Sequence, residues 1–485
     1  MVEPVLAEAL AALLERHLEA AAPRDLAAWS LRGLSALDTA LSVELRPGAG
    51  GAELRLVAED RSLSVRPVAP LTTGSAPGVA ARAIAATLAD MYEAAWEASP
   101  ALRRAGPGRM VASGFEEVFN HLDPYSRYVS PEEARAAQER RVGQSGLGLR
   151  LAAQGDGLVV AAVTPDGPAA AAGIQRGDRL VAVDGRAVSG RDPGTAAALL
   201  EGPEGTEVRL TLLRGGRRRQ ATLVRLVLPP ETVQAERRYG ILWIRLSGFA
   251  AATDSDLALA LGNGFAEGAA HGGVHGVVLD LRGNRGGLLG QAVAVADAFL
   301  TGGEVARTEG RHPEASRRYV ASGLDLAEGR PLVVLVDGRT ASAAEVVAAA
   351  LAERGRAVVV GSATQGKGLV QLVSPLPNGG EMLVSWSRVL APGGWPIQGL
   401  GVLPQLCSSL GPDGLARGFV ALQAGEAPMA GALARHRAAR APVPAAAVAA
   451  LRNACPPAEG QPADLEVARR LIESPRAYQA ALSRP

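Results

Sequence analysis

A serine, a lysine and a glutamine stand close together in the second half of this sequence, and between them they can do nucleophilic chemistry. Ser342 lies in Thr340-Ala341-Ser342-Ala343-Ala344-Glu345, after the apolar run PLVVLVDGR and before the helix-forming run AEVVAAALAER. A serine at such a strand-to-helix turn has two readings. It can cap the helix, with Glu345 closing a capping box. It can also attack a carbonyl while free N–H groups at the helix start hold the developing oxyanion. Lys367 follows 25 residues later in Gln365-Gly366-Lys367-Gly368-Leu369-Val370-Gln371, a glycine-flanked turn after another apolar run. Flanking glycines let the backbone approach other groups closely. A lysine amine desolvated there loses basicity, becomes neutral near pH 7 and can take the serine proton. The amide oxygen of Gln371, four residues on, can fix the direction of that amine. A third segment, Asp280-Leu281-Arg282-Gly283-Asn284-Arg285-Gly286-Gly287, is either a glycine-rich turn or backbone that lines the same cleft and offers an N–H to the oxyanion.

Composition sharpens the lysine. Of 50 basic residues, 49 are Arg and one is Lys, at position 367. Codon usage that favours Arg, Ala, Gly and Pro accounts for the arginines. Arg cannot be deprotonated in a protein and a buried Lys can, so the surviving Lys is either an accident or a place where Arg cannot serve. Competing chemistry fits less well. In Gly361-Ser362-Ala363-Thr364-Gln365-Gly366-Lys367 a phosphate loop would need Ser or Thr next, and Gly368 follows. A Ser-His-Asp hydrolase would need a G-x-S-x-G elbow, and none occurs. The six His do not cluster; His271 and His275 are four apart without a carboxylate or Cys to complete a ligand set, and Cys407 and Cys455 match no zinc spacing. No metal or cofactor is expected. A net charge of +1 argues against nucleic acid as a partner. No uncharged apolar run reaches transmembrane length. The start, MVEPVLAEALAALLERH, lacks a basic leader and carries Glu8 and Glu15, so it reads as an amphipathic helix rather than a signal peptide.

The elements around these residues suggest an α/β multidomain chain. Residues 1–142 form a mainly helical N-terminal region, with a strand pair expected within 42–68. Residues 143–228 alternate short strands with turns at Asp166-Gly167-Pro168, Arg176-Gly177-Asp178 and Asp184-Gly185, and a helix is expected near 195–200. They predict a small, partly open β-barrel with two short helices. The run Arg217-Arg218-Arg219 reads as a solvated hairpin turn. In residues 229–411 the apolar runs ILWIRL, GVVLDLRG, PLVVLVDG and AVVVGSA alternate with helical stretches at 254–261, 288–300 and 343–354. That pattern predicts a sheet buried on both faces, and ligands bind beyond the carboxyl ends of such strands. Residues 412–485 read as an Ala/Pro-rich linker followed by a C-terminal helix at 463–482.

The motifs in order resemble those of the C-terminal processing peptidases, the tail-specific proteases of serine peptidase family S41, over residues 115–408. Leu122-Asp123-Pro124-Tyr125-Ser126-Arg127-Tyr128 resembles the family's D-P-H-S-x-Y. Residues 143–228 resemble its PDZ domain, with Gly146-Leu147-Gly148-Leu149 as the carboxylate-binding loop. Residues 280–287 resemble D-L-R-x-N-P-G-G, 340–345 resemble S-A-S-A-S-E, 366–371 resemble G-K-G-x-V-Q, and Pro396-Ile397-Gln398-Gly399 resembles S-I-Q-G. The resemblance implies a ClpP/crotonase-like core, with Ser342 as nucleophile, Lys367 as general base and Gln371 orienting the lysine. It implies that Gly286 and the Ala343 N–H form the oxyanion hole. The PDZ groove would take a protein substrate's C-terminal tail as an added strand. A catalytically inactive PDZ peptide-binding scaffold is the alternative, and the complete Ser342, Lys367 and Gln371 set argues against it. Arg285, Gln365, Ala344 and Gln405 depart from the family's Pro, Phe, Ser and Asp. By the same resemblance the protein would work in the periplasm or another extracytoplasmic compartment, and a homodimer through the helical N-terminal region is expected. Cys407 and Cys455 are either one disulfide, which suits an oxidising compartment, or two free thiols.

Overall fold

The protein is described by a computed structural model covering residues 2–48, 51–68, 76–155, 157–164, 167–188, 192–269 and 272–482; Asp166 and His271 lie outside them. Its central sheet follows from the continuous apolar runs. Strands Val233–Arg238, Ile241–Leu246, Gly276–Asp280, Leu332–Val336, Val358–Gly361 and Leu406–Cys407 lie side by side in chain order. The first pair is antiparallel and the rest are parallel. Alternate residues point to opposite faces. Leu242, Ile244, Val277, Leu279, Val334 and Val359 pack with helices Thr253–Ala269, Leu289–Asp297 and Ala343–Glu353. Ile241, Val278, Val333, Leu335 and Val358 face the other way and need a second cover.

That cover is the segment expected to be a linker and one helix, and here the structure corrects the sequence reading. Residues 411–482 form five helices, Gly411–Ala424, Ala430–Arg437, Ala445–Arg452, Pro462–Glu473 and Pro475–Leu482. Leu415, Phe419, Leu422, Val467, Leu471 and Tyr478 close the second face. The helix expected at 463–482 is two helices, parted at Ser474 before Pro475, as a proline's clash with the preceding turn requires. Between them and the sheet the chain is stitched to the strand ends. Gly338 N–H donates to the Ala458 carbonyl at 2.7 Å, Ala458 N–H to Ser362 Oγ at 3.0 Å, Arg282 to Asp464 at 3.2 Å, and Arg452 to the Thr364 and Leu400 carbonyls at 2.8 and 2.7 Å.

Cys407 and Cys455 are joined, with their Cα atoms 5.8 Å apart and a sequence separation of 48. Closing a loop of that size restricts the unfolded chain by about 4 kcal/mol in the chain-entropy model. A Cys407→Ser, Cys455→Ser double variant should therefore unfold at lower denaturant, by up to that amount. Alkylation of the unfolded, non-reduced wild type should add no label; two labels would show the bond absent.

A second, antiparallel sheet runs in the order Arg317–Ala321, Gly303–Glu309, Glu381–Leu390 and Leu369–Pro375, and Arg127–Val129 also pairs with Glu381–Leu390. The small barrel holds strands Leu149–Gln154, Gly157–Val163, Arg179–Val183, Glu207–Arg214 and Arg217–Val224 with helices Pro168–Ala171 and Pro193–Leu200, around Leu158, Val160, Leu180 and Leu210. Its two ends are clasped by the paired strands Gln144–Gly146 and Leu226–Leu228.

The N-terminal region is helical with three strands rather than two: Leu41–Gly48, Gly51–Ala58 and Arg61–Val68. The second run reverses at Glu59-Asp60, with Glu59 at φ 52°, a turn that usually announces itself by Asn-Gly or Asp-Gly. The apolar stripe of the first helix, Val2–Arg16, is spent inside the chain: Val5, Leu6, Leu10 and Leu13 share a core with Met382 and Val384 of the second sheet and with Leu376 just after its strand Leu369–Pro375. No helix among the described residues is long and apolar enough to cross a membrane.

Candidate active site

Ser342 stands between strand Leu332–Val336 and helix Ala343–Glu353 with φ 57° and ψ −121°. An ordinary N-cap residue sits in the β region. A non-glycine residue held at positive φ costs about 1–3 kcal/mol and persists only where neighbours over-determine it. They do so here. Ala341 N–H donates to the Asn284 carbonyl at 2.9 Å. Thr340 Oγ donates to the Leu281 carbonyl at 2.9 Å and accepts from Asp337 N–H at 2.9 Å. Ser342 N–H donates to Glu345 Oε2 at 2.7 Å. The turn has the sharpness of a nucleophile elbow without its glycines.

Gly286 packs against this turn at φ 97°, and a Cβ there would lie 2.8 Å from Ser342 Cβ and 3.0 Å from Ala343 N. Only glycine fits. Its N–H, expected to face an oxyanion, donates instead to Asn284 Oδ1 at 2.8 Å, so in this conformation Gly286 contributes room and its donor is occupied. No acceptor among the described residues takes the Ala343 N–H.

Lys367 Nζ donates to Gln371 Oε1 at 3.1 Å and lies 5.4 Å from the centre of the Tyr125 ring. Gln371 in turn donates from Nε2 to the Tyr125 carbonyl at 2.5 Å. Gln398 Oε1 accepts from Gly368 N–H at 2.9 Å and holds the lysine turn from the other side. Burial pushes the Lys367 amine below its ordinary pKa and nearby Arg127 adds to this, while Asp123 and Glu345 oppose it. No hydrogen bond joins Ser342 Oγ to Lys367 Nζ.

What joins the two segments is Glu345, which the sequence suggested only as a cap. It is 0% exposed. Its Oε2 accepts from the backbone N–H of both Ser342 and Lys367, at 2.7 and 2.9 Å. Its Oε1 accepts from Gly366 N–H at 2.7 Å and Thr364 Oγ at 2.5 Å. Burial pushes this carboxyl's pKa up against those four donors; three N–H groups and a hydroxyl converging on one group is the arrangement an ionised carboxylate asks for. A signal was present in the sequence. Glu345 is the only charged residue in the first ten residues of a helix that is buried all round, and a buried carboxylate must collect donors.

Of the departures from the family pattern, Gln405 braces strand Val358–Gly361 by accepting from Val359 N–H at 2.8 Å. Arg285 and Gln365 are exposed beside the turns, and Ala344 is buried. In the small barrel, Gly148 takes φ 74°, its carbonyl accepts from Thr164 N–H at 2.9 Å, and the Leu147 carbonyl accepts from Ala169 N–H at 3.0 Å. Gly146 pairs with Leu226, and Leu149 begins the strand that packs beside helix Pro193–Leu200.

Two family models match the chain: Peptidase family S41 over residues 240–407 and PDZ domain over residues 159–214. A carboxy-terminal-processing protease of Bartonella bacilliformis is 34% identical over 301 residues, which are 61% of this chain and 69% of that protein. A carboxy-terminal processing protease of Bacillus subtilis is 32% identical over 310 residues, 63% of this chain and 65% of that one. A solved photosystem II D1 C-terminal processing protease is 29% identical, over 68% of this chain and 90% of its own, with a TM-score of 0.36. The chain thus spans close to two-thirds of the length of the two bacterial relatives.

Proposed function

Since the chain belongs to peptidase family S41, the carboxy-terminal-processing proteases, we propose that it is a Ser-Lys endopeptidase that cleaves protein substrates near their C-terminal tails, with the PDZ groove holding the tail. The observation that carries this reading is the one buried carboxylate, Glu345, that binds the backbone of both Ser342 and Lys367. The neutral amine of Lys367 takes the proton of Ser342 Oγ as the oxygen attacks the scissile carbonyl. The oxyanion that forms is held at the helix start by the Ala343 N–H, joined by Gly286 N–H once Asn284 releases it. The resulting ammonium returns its proton to the leaving amine, and an acyl-serine remains. Water, deprotonated by the same amine, attacks the ester and frees Ser342. For the first step the amine must turn from Gln371 toward Ser342, a contact of the kind that tightens when substrate binds. The disulfide favours work in an oxidising, extracytoplasmic compartment.

The test is cleavage of an unstructured protein with an apolar C-terminal tail by the full chain. Cleavage is expected; a chain that binds tails and cuts none would be a peptide-binding scaffold instead. Amidating the substrate's C-terminus removes the carboxylate that the Gly146–Leu149 loop would hold. It should raise KM by about tenfold, the worth of one or two charge-assisted hydrogen bonds, and an unchanged KM would remove the PDZ groove from tail recognition.

A further inference from the structure

The first helix lies outside the segments that the family models match, yet its end is wired to the catalytic lysine. His17 follows that helix and is 1% exposed. Its Nε2 donates to Asp123 Oδ2 at 3.0 Å, and its Nδ1 lies 2.8 Å from the Glu19 carbonyl and 3.1 Å from the Glu19 N–H. The segment is fixed from outside: Leu18 N–H donates to the Ser385 carbonyl at 2.8 Å, and Arg311 donates to the His17 and Leu14 carbonyls at 3.0 and 2.8 Å.

Asp123 is the point of convergence. Besides His17 it accepts from Tyr125 N–H at 2.9 Å, Ser126 N–H at 3.0 Å, Ser385 Oγ at 2.8 Å and, closely, Ser126 Oγ. Burial would push this carboxyl up, but the bonds from His17, Ser126, Tyr125 and Ser385 outweigh it and hold it well below the usual carboxylate range. Asp123 therefore stays an acceptor at every pH where the enzyme works. What it accepts from is the turn whose Tyr125 carbonyl receives Gln371, and Gln371 holds Lys367 Nζ. The Tyr125 ring covers the same amine.

We infer that His17 is a positioning residue for Lys367: through Asp123 and the Tyr125 turn it sets where Gln371 holds the amine, so that seating of the first helix is a condition of catalysis. The inference rests on the reading of Lys367 as general base. A buried imidazole at this place is otherwise hard to account for, since an apolar side chain would fill the space without a polar group to satisfy. Without His17 the 123–126 turn loses one of its fixed donors and loosens. The Tyr125 ring and carbonyl then shift and water reaches the amine. Desolvation is the largest cause of the amine's low pKa, so relieving it raises that pKa. The charged groups that face the amine, Arg127, Asp123 and Glu345, are all retained.

The single lysine makes this measurable. Protein grown with ε-¹³C-lysine gives one lysine signal, from Lys367. In His17→Ala, kcat at neutral pH should fall about ten- to hundredfold, the cost of a misplacement near one ångström, with KM within twofold of wild type. The lysine signal should titrate at higher pH, and the acid limb of the kcat profile should move the same way. His17→Gln, whose amide can still donate to Asp123, should recover most of kcat and the wild-type titration. If His17→Ala does not fold, His17→Phe fills the space without a donor and is read in its place. A wild-type kcat and titration in the folded variant overturns the inference. So does activity that falls only with the folded fraction while the lysine titration stays put. The two levels separate cleanly: an active Lys367→Ala refutes the general base, whereas an inactive Lys367→Ala beside an unaffected His17 variant refutes only the role of His17.

Discussion

Replacing Lys367 by Arg should abolish cleavage, with kcat lower by about a thousandfold or more, although the positive charge is kept. A positioned general base contributes about 10²–10⁴ in rate, and Arg has no neutral form in which to act as one. Ser342→Ala should cost at least as much, and the double variant no more than Ser342→Ala alone, because residues that act as a unit do not add. KM for the tail should stay near wild type in all three. The pH dependence follows from the same group. The amine is a base only when neutral, so activity is lost as pH falls through its pKa. Burial lowers that pKa, so the acid limb should lie below the ordinary lysine value. A Lys367→Arg enzyme with full activity, or a wild type that switches on only at ordinary lysine pKa, would exclude the proposed base.

The second large effect is expected at a residue that touches no reacting atom. Glu345→Ala should lower kcat by about a hundredfold, the scale of a one-ångström displacement of catalytic groups, and should also destabilise the protein. It strips the acceptor from the Ser342, Gly366 and Lys367 N–H groups and from Thr364 Oγ. Each buried donor left unpaired costs about 1–3 kcal/mol, so denaturant unfolding should register a loss of several kcal/mol. Ser342 then loses its own N–H tie and is held at φ 57° only through Ala341 and Thr340, and the lysine turn is no longer keyed to the serine turn. A variant that loses stability and keeps wild-type kcat in its folded fraction would show that Glu345 serves the fold alone.

The residues proposed for the chemistry were more legible in the sequence than the elements that support them. Ser342, Lys367 and Gln371 stood out by type and spacing at strand ends, and the continuous apolar runs foretold a sheet buried on both faces. The material covering the second face was not legible. Leu415, Phe419 and Leu422 recur at i, i+4 and i+7 as a buried helix face should, but Ala, Pro and Gly around them gave the segment the composition of a linker. The Glu59-Asp60 turn is silent in the sequence because no glycine marks its positive φ. The strain at Ser342 was illegible for the same reason: it is imposed by Glu345, Asn284 and Thr340, which are brought together by folding. Glu345 itself was hidden by a good local explanation, since a serine with a glutamate three residues on is also how ordinary helices begin.

The stitching of residues 452–464 to the strand ends sets the order in which the enzyme can come to life. A chain still on the ribosome has Ser342, Lys367 and Gln371 long before it has Arg452, Ala458 and Asp464. Until these arrive, the Thr364 carbonyl lacks its Arg452 donor, Ser362 its Ala458 partner, and Arg282 has Asp280 without Asp464, and one face of the central sheet stands open. A nascent chain would thus carry the proposed catalytic side chains without the frame that aims them. For an enzyme whose proposed substrates are the ends of other proteins, that delay would leave the proposed serine and lysine unaligned while the molecule is being made.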